Sequence, residues 1–263
     1  MVNVSLENEC RHITETKGIF SVLEYRQDMS VSPESAQREY YMGRMNVRRR
    51  QLVCMPDGRT SVMMQAGAMQ WFAGDVESTT GVNGLGGLIG KIARGAVTGE
   101  SAIKPEYRGD GLVVLEPTYK HILLEDLNDW SGGLVVEDGM YLASENTVQL
   151  RTQARSNISS AVAGKEGMFN LCMSGKGVVA LESWVPRSEL MEIELDNDVI
   201  RIDGNMAVCW SAGLNFTVER SSKSLLGSAI NGEGLVNVYR GTGRILMSPV
   251  AATLASQPKM MKP

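Results

Sequence analysis

The chain has 263 residues, 43% of them hydrophobic and 21% charged, with a formal net charge of −4. That length and apolar share support a sizeable core, in one large or two to three small domains, and exclude a disordered chain. A negative balance argues against a general binder of nucleic acid or anionic membrane, and no run reaches the ~20 apolar residues that span a bilayer.

Residues 1–60 read as extra strands ahead of the main body, the clearest being the β-branched and aromatic run from Gly18 to Tyr25. The N-terminus lacks the basic region and apolar stretch of a secretory signal. The four cysteines, Cys10, Cys54, Cys172 and Cys209, show no C-x-x-C spacing. Together these predict a cytoplasmic protein with reduced thiols. Ser32 followed by Pro33 predicts the start of a short helix over 32–39. Arg44 and the run Arg48-Arg49-Arg50 read as a charged, exposed strand edge that discourages stray pairing.

From residue 61 onward one pattern occurs three times. Each copy has a turn with Gly and Met (Gly67-Ala-Met69, Gly139-Met140, Gly204-Asn-Met206), then a Glu, then Gly-x-Gly, then an apolar strand. The glutamates are Glu100, Glu166 and Glu233, and the glycine pairs are Gly109/Gly111, Gly175/Gly177 and Gly241/Gly243. Successive glycine pairs stand 66 residues apart. A fixed period of this kind is the signature of a duplicated unit. The divisions are 61–131 for the first repeat, with a Gly-rich insertion at 81–90, then 132–194, then 195–250, and a flexible tail at 251–263. The predicted fold is mainly β: three pseudo-repeated antiparallel β-sandwich units in one compact body, with few short helices.

Two glycines around one residue permit a tight turn with positive φ, so the three Gly-x-Gly segments are expected to be hairpin turns. The repeated glutamates are expected to accept hydrogen bonds from backbone N–H groups in the preceding turn. A carboxylate ring binding a cation on a pseudo-threefold axis is the alternative. Carboxylates in equivalent positions share one environment, whereas an acid–base pair needs two different ones.

Catalytic patterns are mostly missing. The Gly-rich insertion has Leu85 where a phosphate loop needs Gly, and Ile92 after Lys91 where it needs Ser or Thr. Cys209-Trp-Ser211-Ala-Gly213 lacks the first Gly of a serine elbow. The two histidines, His12 and His121, have no metal-ligand partner at useful spacing. Sixteen methionines read as filling for irregular core gaps. No cofactor and no metal is expected.

The turn Ala66-Gly67-Ala-Met69, the motif Gly232-Glu-Gly-Leu235, the segment Gly241-Thr-Gly-Arg-Ile-Leu246 and the run Asp138-Gly-Met-Tyr-Leu-Ala143 resemble the altered inheritance of mitochondria protein 24 family. The resemblance runs from about Val62 to Pro249 and leaves out residues 1–60. It implies a fold like the β-sandwich units of the tryptophan RNA-binding attenuation protein, assembly into trimers or rings, and a family whose bacterial members are largely uncharacterised. The mitochondrial relatives support inner-membrane organisation, and the family has no catalytic residues to carry across.

The function expected on these grounds is a non-enzymatic assembly or interaction protein that forms a β-rich homo-oligomer with an unknown protein partner. A small-ligand or RNA-binding module is the alternative, with RNA disfavoured by the acidic charge. An enzyme is the third reading, with its site near Lys91 and Arg94 or near His121, Glu125 and Asp126.

Overall fold

In the computed structural model the described residues are 3–79, 104–137, 139–154, 169–204, 206–220 and 235–250. The repeated glutamates Glu100, Glu166 and Glu233, the Gly-rich insertion, Lys91, Arg94 and the tail 251–263 lie outside them. The protein is mainly β. A nine-stranded sheet curls into a nearly closed barrel, and a seven-stranded sheet forms a half-barrel.

The barrel sheet contains β1 (Arg11–Lys17), β2 (Phe20–Tyr25), β3 (Arg50–Cys54), β4 (Val62–Met64), β5 (Met69–Thr79), β6 (Glu106–Leu115) and β7 (His121–Asp126). The half-barrel takes β8 (Leu134–Val136), while β9 (Tyr141–Glu145) returns to the barrel sheet. β10 (Val148–Ala154) and β11 (Phe169–Gly175) join the half-barrel, β12 (Val178–Ser183) joins the barrel, and β13 (Met191–Asp203), β14 (Ala207–Ser211), β15 (Asn215–Arg220) and β16 (Leu235–Met247) complete the half-barrel.

Pleating sends alternate side chains to opposite faces, and β2 and β3 show what that does here. Phe20, Val22, Leu52 and Cys54 pack inside with Val113 and Leu115. Their neighbours Leu23 and Val53 pack with Val114 on the other face, under Ile13, Tyr25 and Trp71. Both faces of β3 are therefore covered, which is why all five of its residues are buried. A second cluster joins the two sheets, setting Leu123, Val179 and Leu181 against Leu134, Met173 and Leu246. The half-barrel encloses Trp210, Tyr239 and Ile245, with Phe216 5.1 Å from the Tyr239 ring.

Three stretches of the chain pair in comparable ways. β6 runs beside β5 throughout, and its other edge meets β4 near the start (Val62 opposite Tyr107) and β3 near the end (Val53 opposite Val114). β11 lies between β10 and β8, and its continuation β12 lies between β9 and β7. β16 lies beside β13 throughout, with β15 and then β14 on its other edge. The same closing bond recurs as well: Glu116 N–H to Ala68 O, Glu182 N–H to Met140 O and Ser248 N–H to Met206 O, each 2.7 Å.

The Gly-x-Gly segments are not hairpin turns, contrary to the expectation from their sequence. Gly109 and Gly111 lie inside the long strand β6, and Gly241 and Gly243 inside β16. Gly175 ends β11, and Gly177 leads into β12 in the other sheet. Each segment is a corner where a strand exchanges one set of neighbours for another. Gly109, Gly175 and Gly241 take positive φ there, at 109°, 100° and 121°. Gly111 and Gly243 depart from the expectation a second time, because neither has positive φ. What they need is room. A Cβ on Gly111 would run into Ala73 O and Val76 Cγ2 on the paired strand, and one on Gly243 would come 2.8 Å from Ser211 Cβ. The pairs β5–β6, β10–β11 and β15–β16 are joined instead through residues 80–105, 155–168 and 221–234.

The α-helix α1 spans Pro33–Arg44, running past Glu39, where the sequence pattern stopped. Ser32 is the N-cap, its hydroxyl taking the Ser35 N–H while Ser35 Oγ takes the Ser32 N–H. α1 contains no buried residue, so it is attached to the body by polar contacts rather than sunk into a core.

Candidate functional site

A cleft of about 570 Å³ lies between α1 and the rim of β2 and β3. It arises because the chain leaves β2 at Tyr25, runs through 26–32, forms α1, and returns to β3 at Arg50. Tyr25, Met29, Val31, Tyr40 and Tyr119 give it an apolar wall, and Arg26, Arg44, Arg48 and Arg49 a cationic one.

The arginine run is not an exposed strand edge. Arg50 is 3% exposed, and its Nε donates to Glu24 Oε2 at 2.9 Å. Its Nη2 donates to Asn46 Oδ1 at 2.8 Å, which holds the link between α1 and β3 where Asn46 adopts a left-handed φ of 62°. Arg48 donates to the other oxygen of Glu24 at 3.2 Å and to Gly43 O at 3.1 Å. Arg49 forms an ion pair with Asp28 at 2.8 Å and donates from Nε to the Tyr119 hydroxyl at 3.0 Å. That hydroxyl donates in turn to Glu39 Oε2 on α1 at 3.0 Å, tying the helix to the sheet. Burial pushes the Tyr119 phenol upward, so it stays a neutral donor.

His121, Glu125 and Asp126 all lie on β7, and the fold does not unite them. Glu125 lies four steps along the strand from His121, roughly 13 Å away. His121 sits near Arg50 and Glu24, and burial with the Arg50 charge lowers its pKa to about 4. Glu125, 6% exposed, accepts from Arg187 Nε at 3.1 Å and from Trp130 Nε1 at 3.3 Å. Arg187 continues to Glu192 at 2.7 Å, and Glu192 to Arg244 at 2.9 Å. Because β7 belongs to the barrel and β13 and β16 to the half-barrel, this chain of charges ties the two sheets together. Asp126 caps the 3-10 turn Leu127–Asp129 by accepting from Asn128 N.

The six recurring glycines, Gly109, Gly111, Gly175, Gly177, Gly241 and Gly243, stand at strand corners. Glu116 and Glu182 line one pocket with the turns at Gly67 and Gly139, and Lys120 Nζ donates to Glu182 at 2.7 Å. Among the described residues no group of three or more His, Cys, Asp or Glu side chains could hold a metal ion. Among them also, no helix is long and apolar enough to cross a membrane. Motif reading missed the cleft because its wall is assembled from residues 25–49 together with Tyr119. The available signal was the arginine run lying close behind Tyr40 and Tyr41.

Two curled antiparallel sheets, joined by strands that turn corners at recurring glycines, define a mainly β protein. The chain belongs to the mitochondrial biogenesis AIM24 family, whose model matches residues 46–250. It is 32% identical over 193 residues to an uncharacterised protein of Streptococcus pyogenes serotype M6, covering 70% of this chain and 75% of that one. It is also similar to an X-ray structure of a Streptococcus pyogenes protein, with 28% identity and a TM-score of 0.56, covering 78% of this chain and 90% of that one.

Proposed function

We propose that the chain is a non-enzymatic assembly protein, made of three copies of one β-unit, that forms a homo-oligomeric trimer or ring by edge-to-edge strand pairing. The observation that carries this reading is a pairing that occurs twice among the described residues, whose third counterpart would join two edges that do not meet there. β4 pairs with β9, with Val62 opposite Glu145. β8 pairs with β14 in the same sense, with Leu134 opposite Ser211. By the spacing of the turns at Gly67, Gly139 and Gly204 the third donor is the stretch of β13 around Ile200, and the matching acceptor is the first half of β5. Among the described residues β13 pairs only with β16, and β5 only with β6.

Unpaired edges present rows of N–H and C=O groups that can accept another chain. Acidic residues Glu192, Glu194, Asp196 and Asp198 guard most of β13, but Val199-Ile-Arg-Ile202 carries a single charge. Val199 is 37% exposed there, and Phe72 on β5 is 42% exposed. A head-to-tail contact between two different edges closes into a ring when its rotation permits. The streptococcal relative supports a bacterial origin, and a cytoplasmic location belongs to the same proposal.

Light scattering after size exclusion at micromolar concentration tests it. The expected result is a defined oligomer that Phe72→Lys or Val199→Lys converts to monomer with an unchanged far-UV spectrum. A strictly monomeric wild-type protein overturns the reading. The alternative of a small-ligand module draws support from the arginine-walled cleft.

A further inference from the structure

We propose that the cleft between α1 and β2–β3 binds a small organic anion with an apolar or aromatic body. Three observations converge on that chemistry. First, the cleft of about 570 Å³ lies in the ~300–1,000 Å³ range of small-molecule sites, and it combines an apolar wall with a few charged groups. Second, its charge is opposite to that of the chain. Arg26, Arg44, Arg48 and Arg49 line it with Arg50 behind them, against Glu24, Asp28 and Glu39, within a protein of net charge −4.

Third, the cations are not equally engaged. Arg48, Arg49 and Arg50 are held by Glu24 and Asp28. Arg26 spends its Nε–H on His12 Nδ1 at 3.0 Å and pairs with no carboxylate among the described residues, and neither does Arg44. Two arginines with spare donors beside Tyr25 and Tyr40 suit a carboxylate, sulfonate or phosphate attached to an apolar group. Eleven of the fifteen cleft residues, Arg26 and Arg44 among them, precede residue 46, where the family match begins.

The full chain, labelled for observation of arginine Nε–Hε resonances, would be titrated with phenylacetate, acetate and phenethylamine. These probes supply ring plus anion, anion alone, and ring plus cation. Saturable shifts are expected with phenylacetate, at an affinity at least several-fold above acetate, and none with phenethylamine. The double variant Arg26→Ala/Arg44→Ala should weaken phenylacetate by at least about tenfold, since a single charge-assisted hydrogen bond already contributes that order. Arg38→Ala, on the outer face of α1, should leave it unchanged. Ala36→Phe, which fills the cleft without removing charge, should also abolish the shifts. Equal binding of phenylacetate and phenethylamine, unaltered affinity in both cleft variants, or no saturable shift would each overturn the proposal.

Discussion

Arg50 and Glu24 form a pair on adjacent strands, Nη2 to Oε2 at 2.8 Å, with the arginine side chain only 4% exposed. Glu24 accepts from Arg48 through its other oxygen, so one carboxylate is shared by two guanidinium groups. Breaking such a pair from one side strands a buried charge.

Glu24→Leu is therefore expected to destabilise by about 3 kcal/mol, because Arg50 would remain buried without a counter-ion. The double change Glu24→Leu/Arg50→Met should recover much of that loss. Chemical denaturation of the wild type, both single variants and the double variant measures it, and a fully additive double variant would count against the coupling.

Gly109 should tolerate no side chain. A Cβ there would meet the carbonyl oxygen of Asp75 on the paired strand, at a φ of +109°. Gly109→Ala is expected to cost about 3 kcal/mol or more, combining steric overlap with backbone strain. Gly67 also has positive φ, at 82°, but has open space around it, so Gly67→Ala should cost only about 1 kcal/mol. Thermal unfolding of the two variants separates clash from strain.

His121 predicts a stability loss in acid. Its pKa of about 4 lies below the ordinary 6.5, so the unfolded chain takes up the proton first as pH falls. Its contribution is fully present above about pH 6.5 and is lost between there and about pH 4. His121→Gln should flatten that part of the stability–pH curve by about 1 kcal/mol, a value reduced because the ring is half-buried. An unchanged slope would show that the imidazole is as well solvated folded as unfolded.

The four thiols should react in two classes. Cys54 and Cys209 are fully buried, and burial raises both pKa values, so neither forms thiolate in the folded protein. Cys10 and Cys172 are partly accessible, and Cys172 is also raised by burial. Iodoacetamide labelling read by peptide mass spectrometry should modify Cys10 fastest, Cys172 slowly, and the other two only after denaturation.

Strand content and the start of α1 were legible because both depend on local chemistry. Alternating polarity reports a half-buried strand, and Ser32-Pro33 reports a helix start. The 66-residue spacing was legible too, as the constant separation of the glycine pairs. The helix length was not, since Tyr40, Tyr41 and Met42 read equally well as strand. The conformations of Gly111 and Gly243 were not legible either. Glycine serves equally for a positive φ and for a close approach, and only the strand packed alongside distinguishes the two.

The sequence alone determined that this is a β-rich chain with recurring glycines at fixed intervals. Tertiary structure decided what those glycines do: Gly109 is a corner inside β6 because β4 pairs with one edge of that strand before it and β3 with the same edge after it. It also decided that Arg50 is buried and Arg44 is not. A residue's periodicity says which face it occupies, but only the long-range strand pairing and the return of α1 determine what covers that face.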